Sequence, residues 1–178
     1  MKSPILNLVP SIQRIPCQIA QENIEKYTEY RDRFDISLEL SDDKLFSIRV
    51  KLDTNTIIYF FKGLGDISKN LFNISPKEIF IPSIVVYELE VGIAKSNDSQ
   101  KSEEQLKRLL SQLTIIDFTQ KEAIQSAKIR ADLEKKGTPI GSIDVLIAGC
   151  AKANNLILVT RNTKEFQRVE NLQLVDWY

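Results

Sequence analysis

The sequence predicts an α/β protein with a central, mostly parallel sheet flanked by helices and preceded by an N-terminal extension. From residue 46 onward, short apolar runs that suit buried strands alternate with longer stretches of helical spacing. Residues that prefer helix ends stand at the junctions between them. No apolar run approaches the roughly 18 residues that a membrane span needs, so we expect no membrane segment.

Residues 1–45 are predicted to be an extension, separate from a domain at residues 46–178. Pro4, Pro10 and Pro16 punctuate its start. Residues 18–27 have the pattern of a polar helix whose thin apolar stripe includes Ile24 and Tyr27. A turn is expected at residues 41–43. Large apolar residues are too few here for a separate core, so the extension is interpreted as an appendage or a partner-binding arm.

Five strands and seven helices are predicted in the domain. The strands cover residues 46–52, 79–81, 114–118, 156–160 and 172–175. The helices cover residues 55–61, 67–72, 84–95, 101–112, 120–136, 143–154 and 164–167, with a polar loop at 96–102. Ser83, Thr119 and Ser142 precede helical runs as N-caps, and Gly137 with Pro139 closes one helix.

Composition and charge exclude several classes of function. The 24 basic and 24 acidic residues cancel, which argues against a strong non-specific nucleic-acid binder but not against a nuclease with acidic metal ligands. Residues 121–168 hold nine basic and five acidic residues, a mild excess that a solvated helix face or RNA contact explains equally well. The chain has no histidine, which removes most competing chemistries.

The two cysteines and the N-terminus predict a cytoplasmic protein. Cys17 and Cys150 lie far apart and in no metal-binding spacing, so two reduced thiols are expected. The first residues lack the continuous apolar core and small-residue cleavage site of a signal peptide.

Three carboxylates interrupt apolar segments, and an asparagine follows a strand in the same way. Asp53 ends the first predicted strand, Glu88 lies in the helix after the second, and Asp144 lies in the first turn of another helix. Asn162 follows the strand at 156–160. Ligands of an open parallel sheet bind outside the carboxyl ends of its strands. We therefore expect these four side chains at one edge.

Each of the four also has an ordinary structural explanation. Asp53 could cap the helix that follows it, and Asp144 could complement a helix dipole. Glu88 could lie on an exposed helix face, although its neighbours are apolar on several sides. Asn162 could be a turn or cap residue. The coincidence at one edge is stronger than any single position.

Clustered carboxylates repel each other unless a cation neutralises them. Oxygen ligands suit Mg²⁺ or Mn²⁺, whereas zinc prefers histidine or cysteine. Such an ion activates water and offsets charge on a phosphate, and this chemistry needs no histidine.

At this point the residues resemble a known family, the PIN-domain ribonucleases, and most of all the VapC-type toxins of bacterial toxin–antitoxin pairs. The resemblance covers about residues 48–178. It is carried by the apolar-flanked Glu88 and by three segments: Asp53-Thr54-Asn55-Thr56-Ile57-Ile58, Pro139-Ile140-Gly141-Ser142-Ile143-Asp144 and Val159-Thr160-Arg161-Asn162-Thr163-Lys164-Glu165-Phe166.

The resemblance implies a PIN-like three-layer fold and metal-dependent endonucleolytic cleavage of RNA, with transfer RNA one candidate substrate. It implies that Asp53, Glu88 and Asp144 are the catalytic ligands of Mg²⁺ or Mn²⁺. Asn162 matches a position where many members carry a fourth acid and others asparagine, and it is the fourth catalytic residue that the resemblance implies, holding a water or the ion by a hydrogen bond. Because Asn162 adds no charge, a second metal ion is less expected.

Supporting residues and partners follow from the same resemblance. Thr54 and Asn55 match the polar residues beside the first acid. A small antitoxin whose C-terminal segment lies across the site, and a homodimer, are implied. From their position beside Asn162, Arg161 and Lys164 are predicted to contact phosphate.

The sequence departs from the family at its start, because about 50 residues precede Asp53 whereas such toxins usually have only a few. Met1 is the only methionine. Either the extension is translated, or translation begins at a non-ATG codon near Leu45 or Val50. A peptide covering residues 18–31 in mass spectra of the native protein would exclude the second alternative.

Two other functions fit parts of the sequence. Residues 53–56 resemble the nucleophile loop of haloacid dehalogenase-type phosphatases, but Asn55 replaces the general acid of that loop and no paired acid follows Asp144. A non-catalytic RNA- or protein-binding module with the same fold is the second alternative. The complete acidic set argues against it.

Overall fold

The computed structural model describes residues 17–38, 49–96 and 99–178 of the 178-residue chain. The three N-terminal prolines, the predicted turn at 41–43 and the start of the predicted first strand lie outside the described residues. So do two residues of the predicted polar loop at 96–102.

A five-stranded, fully parallel sheet forms the centre of the described structure. Its strands are β1 (Val50–Leu52), β2 (Ile79–Pro82), β3 (Thr114–Ile116), β4 (Ile157–Val159) and β5 (Leu174–Val175), in the spatial order β3-β2-β1-β4-β5. All four neighbouring pairs are parallel. The predicted parallel sheet is confirmed; β3, β4 and β5 are shorter than predicted, and β2 is one residue longer.

Helices surround this sheet. The described residues form α1 (Cys17–Leu38), α2 (Thr54–Lys62), α3 (Ile67–Leu71), α4 (Ser83–Ala94), α5 (Ser99–Leu110), α6 (Gln120–Lys135), α7 (Ser142–Ala153) and α8 (Thr163–Phe166), with a 3-10 turn at Pro76–Glu78. The seven helices predicted in the domain are confirmed to within two residues at each end. None of these described helices is long and apolar enough to cross a membrane.

Helix ends correct two of the predicted caps. Thr119 is the N-cap of α6, where its amide donates to Glu122 Oε2 at 2.9 Å in a capping box. Ser83 and Ser142 were wrong as caps, because each is the first residue of its helix. Ser83 Oγ instead accepts the Phe118 amide at 3.1 Å and ties α4 to the end of β3. The last part of the predicted polar loop is helical, since α5 begins at Ser99.

The strand order reverses beside β1. The chain places β2 and β3 on one side of β1, then crosses to place β4 and β5 on the other. Leu52 pairs with Val159, so β1 and β4 end at the same level. Connections leave the two strands in opposite directions, and this opens a crevice at their carboxyl ends. Residues 53 and 160 are the first beyond the two strands.

Helix α1 packs against the domain through a narrow stripe. Ile24 and Tyr27 are buried among the core residues, with exposures of 0% and 1%. The helix lies against α2 and α5. Full burial of one such side chain contributes roughly 1.5–3 kcal/mol, so two anchors hold a 22-residue helix only modestly. The predicted polar helix with its thin stripe is confirmed, whereas the division into an extension and a domain stays a prediction.

Candidate metal and catalytic site

Asp53 is the most enclosed carboxylate of the crevice, with 4% exposure. It caps α2, because its Oδ1 accepts the Thr56 amide and the Thr56 hydroxyl, both at 2.7 Å. Its Oδ2 accepts the hydroxyl of Thr160, beyond β4. Asp53 therefore caps α2, as its structural explanation required, and also stands at the predicted site: one carboxylate oxygen caps the helix and the other faces the end of β4.

Glu88 reaches the crevice from the second turn of α4. It is partly buried, and its Oε2 accepts the Thr54 hydroxyl at the start of α2. Burial raises the pKa of Glu88, the Thr54 hydrogen bond lowers it, and the charge of Asp53 raises it further. Thr54, which was predicted to support the site, therefore contacts one of the three predicted acids. Asn55, the neighbouring residue in α2, is partly buried.

Asp144 lies in the first turn of α7, partly buried and near the other acids. Burial raises its pKa to about 7, and the charges of Glu88 and Asp53 add to the effect. Gly141, the N-cap of α7, leaves room for this carboxylate, because a Cβ there would lie 2.7 Å from Asp144 Oδ2. The absence of a side chain at 141 therefore sets where the carboxylate can stand.

The three acids repel one another. Burial also raises the pKa of Asp53, although the hydrogen bonds from Thr160 and Thr56 and the charge of Lys51 oppose this. An acid whose pKa is raised by burial and by other acids gains stability either from a proton or from a cation. The charge of Asp53 raises the pKa of Glu88, and the charges of both raise the pKa of Asp144, so the three predicted acids lie within electrostatic reach of one another.

Asn162 joins the site through its backbone. It is the N-cap residue of α8, and its amide donates to Thr160 Oγ1 at 3.0 Å. Since that hydroxyl in turn donates to Asp53, the backbone of Asn162 is linked to Asp53 through Thr160. The partly buried side chain of Asn162 makes no cap hydrogen bond.

Two residues missed by sequence reasoning lie in α8 and just beyond it, Glu165 within the helix and Arg168 two residues after its end. The charge of Glu165 contributes to the raised pKa of Asp144. Arg168 binds the Glu165 carboxylate at 3.1 Å and the Pro139 carbonyl at 3.1 Å, and so braces α8 against the loop before α7. The spacing of Glu165, one turn after Asn162, was a usable signal.

A buried lysine lies behind the site and was also missed. Lys51, in the middle of β1, is fully buried and donates to the Ile147 carbonyl in α7. Burial lowers its pKa to about 7, against the opposing influence of Cys150, Asp53 and Glu122. Side chains two residues apart along a strand point to the same face, and residues 51 and 53 have this spacing. The Lys51 amine is also the cation closest in sequence to Asp53.

The two basic residues predicted to contact phosphate lie at the rim. Arg161 and Lys164 are exposed. The guanidinium of Arg161 lies 3.2 Å from the centre of the Tyr178 ring and 5.8 Å from that of Tyr59. This stacking holds the arginine in place beside Asn162 and leaves its edge open to solvent.

The donor set suits a hard divalent cation. Every predicted ligand offers oxygen, and the mutually raised pKa values mark uncompensated negative charge. Within the described residues, however, no three acidic, histidine or cysteine side chains form a ready-made metal cage. The assignment of Asp53, Glu88 and Asp144 as ligands therefore stays a prediction.

Comparisons with known proteins agree with this architecture. The PIN domain family model matches residues 50–172. A Salmonella typhimurium protein named tRNA(fMet)-specific endonuclease VapC is 35% identical over 130 residues, covering 73% of this chain and 98% of its own length. Ribonuclease VapC2 of Rickettsia felis is 41% identical over 128 residues, covering 71% of this chain and 96% of its own length.

Solved structures extend the likeness to three dimensions. VapBC2 from Rickettsia felis bound to a promoter DNA fragment matches with a TM-score of 0.68 and 39% identity, over 74% of this chain and 100% of that chain. A toxin–antitoxin complex from Klebsiella pneumoniae matches with a TM-score of 0.59 and 28% identity, over 72% of this chain and 98% of that chain. The PIN-like fold predicted from the sequence is confirmed.

Proposed function

The chain belongs to the PIN-domain family, in its VapC group, and from this membership we infer that it is an endoribonuclease acting as the toxin of a toxin–antitoxin pair. The phosphatase alternative loses its support, because the match extends over residues 50–172 and not only over the loop at 53–56. A non-catalytic module is disfavoured by the complete set of carboxylates at the crevice.

We propose that Asp53, Glu88 and Asp144 hold the cation that the reaction needs. The observation that carries this proposal is that acids from three separate elements meet: Glu88 of α4 accepts the hydroxyl of Thr54, the residue after Asp53, and the charges of Asp53 and Glu88 both raise the pKa of Asp144 in α7. Mg²⁺ is the proposed physiological ion, with Mn²⁺ as a substitute, because both accept all-oxygen ligands. When bound, the ion would lower the pKa of a water and offset charge on the phosphodiester.

Neighbouring residues of the chain orient the proposed ligands. Thr56 and Thr160 fix both oxygens of Asp53, and Thr54 fixes one oxygen of Glu88, so two of the proposed ligands are oriented before any ion binds. We propose that the side-chain amide of Asn162, next to this network, orients the attacking water. Asn55 would support the first turn of α2 at the same edge.

Substrate contacts are proposed at the rim. Arg161, held by its aromatic neighbours, and Lys164 in the first turn of α8 stand beside Asn162 and would bind phosphates that flank the cleaved bond. An RNA substrate follows from the nuclease assignment. One relative is named for its action on initiator transfer RNA, so transfer RNA is the first candidate to assay.

Two protein contacts are also proposed. The solved relatives include toxin–antitoxin complexes, and we propose a small cognate antitoxin for this chain.

We propose a homodimer through exposed apolar side chains of α4, β3 and α6. Tyr87, Ile115 and Ile124 are 57%, 45% and 50% exposed, and the bond between Ser83 and Phe118 holds their elements together. A cytoplasmic location is proposed from the RNA substrate.

Cation dependence of RNA cleavage tests the proposal. The purified full chain is incubated with labelled transfer RNA after removal of metal by EDTA. No cleavage is expected until Mg²⁺ or Mn²⁺ is restored in excess, whereas Ca²⁺, which takes more ligands at longer distances, should support little. Cleavage of undiminished rate in EDTA would contradict a metal-dependent site.

A further inference from the structure

We propose that residues 17–38 are a displaceable intramolecular ligand, seated in a groove that binds an amphipathic helix of a protein partner. The groove, called here the α2–α5 groove, is formed by α2, α5 and the segment at residues 72–74. The inference rests on the proposed function in one respect only, that the competing partner is the antitoxin.

The contacts of α1 are those of a helix lying in a groove. Tyr27 packs between Phe60 of α2 and Phe72, with ring centres 6.4 and 6.1 Å away. Tyr30, one turn along, lies 5.6 Å from Phe72, and its hydroxyl donates to the Ile74 carbonyl at 3.3 Å. Ile24 completes a stripe at helical spacing, which is how an amphipathic helix enters a groove.

A polar contact fixes the register of this helix. Asn23 is buried, and its Nδ2 donates to the Phe60 carbonyl at 2.6 Å. That carbonyl is near the C-terminal end of α2 and also accepts the Gly63 amide at 3.1 Å, so Asn23 adds a second donor at the helix end. One side-chain amide thus recognises the helix end while the stripe fills the groove beside it.

The seating of α1 is incomplete in a way that favours exchange. The hydroxyl of Tyr27 is buried and meets no hydrogen-bond partner among the described residues. A buried unpaired hydroxyl is costly in a permanent core, and release of the helix would return it to water. Charged residues on the opposite face, such as Glu25 and Lys26, are exposed, so the helix is soluble when released.

The relatives have no counterpart of this helix. Their alignments span 128–130 residues, which are 96–98% of their own lengths, and the family model begins at residue 50. Yet the groove is formed by elements within the matched region. In those relatives the groove must be covered by something else or be open, and a solved relative is a complex with an antitoxin chain.

The groove is separate from the catalytic crevice. Asp53 caps the N-terminus of α2, whereas Asn23 and Tyr27 contact Phe60, roughly 10 Å further along the helix axis. Release of α1 therefore opens the groove without removing a carboxylate or threonine of the site. RNA cleavage and helix binding can be measured independently.

A peptide of residues 17–38, labelled with a fluorophore, tests the inference in trans. The full chain carrying Ile24→Asp and Tyr27→Asp is compared with the wild type and with Lys26→Asp, a substitution on the exposed face of the same helix. Fluorescence anisotropy is expected to show at least tenfold tighter peptide binding by the double variant than by the other two proteins. A peptide with the same two aspartates should not bind.

Amide hydrogen exchange guards against a folding defect. In the double variant, protection should be lost in α1 and kept in β1, β2 and β4. Should the strands also lose protection, Asn23→Ala, which removes only the bond to Phe60, decides instead and should raise peptide binding by a smaller factor. Equal peptide binding by the wild type and a variant with intact strands would overturn the inference.

The RNA assay separates this inference from the proposed function. The double variant should cleave RNA at the wild-type rate, because the crevice is unchanged. Loss of cleavage by every protein, together with groove-dependent peptide binding, would end the proposed function and leave the groove. Normal RNA cleavage without groove-dependent peptide binding would overturn the groove inference and leave the proposed function standing.

Discussion

Asp53 and Asp144 stand at the same crevice in opposite environments. Asp53 is 4% exposed and accepts hydrogen bonds from two threonine hydroxyls and one amide, which oppose the rise of its pKa by burial but do not cancel it. Asp144 is less enclosed, yet every influence on its pKa raises it: burial, Glu88, Asp53 and Glu165. Hydrogen bonds from the protein therefore stabilise the ionised form of Asp53, whereas the surroundings of Asp144 disfavour its ionised form.

The difference divides the site into two halves, only one of which is expected to stabilise the fold. In the half formed by β1, α2 and β4, protein groups donate hydrogen bonds to the carboxylate and oppose the rise of its pKa. The half formed by α4 and α7 places like charges together and becomes favourable only with a proton or a cation. Substitutions in the two halves should therefore change stability in opposite directions while both reduce activity.

The largest effect is expected from Asp144→Asn. Loss of a ligand charge should reduce RNA cleavage by more than about a hundredfold. Without divalent ions at pH 8, the free energy of unfolding should stay equal or rise, because a repelled charge is removed. Cleavage assays and urea denaturation measure the two. Asp132→Asn, at a 42% exposed surface carboxylate, is the matched control. Undiminished cleavage by Asp144→Asn would end the assignment.

Asp53→Ala should disrupt the half formed by β1, α2 and β4. It removes the N-cap of α2 and the acceptor of the buried Thr160 hydroxyl, whereas the Thr56 hydroxyl keeps the Val159 carbonyl at 3.0 Å, so the free energy of unfolding should fall by about 2–3 kcal/mol in urea denaturation at pH 8. Thr160→Val should give a smaller loss of the same kind, and Thr138→Val, at an exposed threonine, none. A stability change no greater than that of Asp144→Ala would remove the contrast between the halves.

Gly141→Ala should sharpen the comparison by moving Asp144 alone. The new Cβ would meet Asp144 Oδ2 at 2.7 Å, and the φ angle of −54° suits alanine. The flexible carboxylate should yield, so cleavage should fall about tenfold while the free energy of unfolding changes by less than about 0.5 kcal/mol. Ser142→Ala, at the next position, is the control. Wild-type cleavage by Gly141→Ala would mean that Asp144 tolerates displacement.

The pH dependence of metal-free stability should follow the raised pKa of Asp144. The folded chain keeps the Asp144 proton up to about pH 7, whereas the ordinary pKa is 3.8. Because the folded state then binds more protons, metal-free stability should fall as pH rises from about 4 to 7, by a few kcal/mol at most, and level off above 7. Thermal unfolding of the wild type and Asp144→Asn, without divalent ions, measures the difference. Parallel pH profiles would contradict the raised pKa.

The position of the site could be predicted from the sequence because parallel strands end at a common edge. Asp53 directly follows a predicted strand, Asn162 lies two residues beyond another, and Asp144 lies near a predicted helix start, so all three followed from local patterns. Thr160 was predicted as the last residue of the strand at 156–160, so neither its place beyond β4 nor its partner 107 residues away could be predicted.

Long-range packing limited the rest. Lys51 lies in an apolar strand whose pattern gives no sign that its amine reaches a carbonyl of α7. The stripe of α1 was predicted, but the surface that buries it is formed by residues more than 30 positions later in the chain. Serines at helix starts were misplaced by one residue, because Pro82 and Gly141 have the extended backbone of a cap without a capping side chain.

Titration calorimetry with Mn²⁺ tests the central claim most directly, namely that these carboxylates jointly hold a cation. At pH 7, the wild type should bind Mn²⁺ with release of about half a proton, since Asp144, whose pKa is raised to about 7, is half protonated there, and Asp144→Asn should bind at least tenfold more weakly without that release. Equal Mn²⁺ affinity and equal proton release in the two proteins would contradict the account.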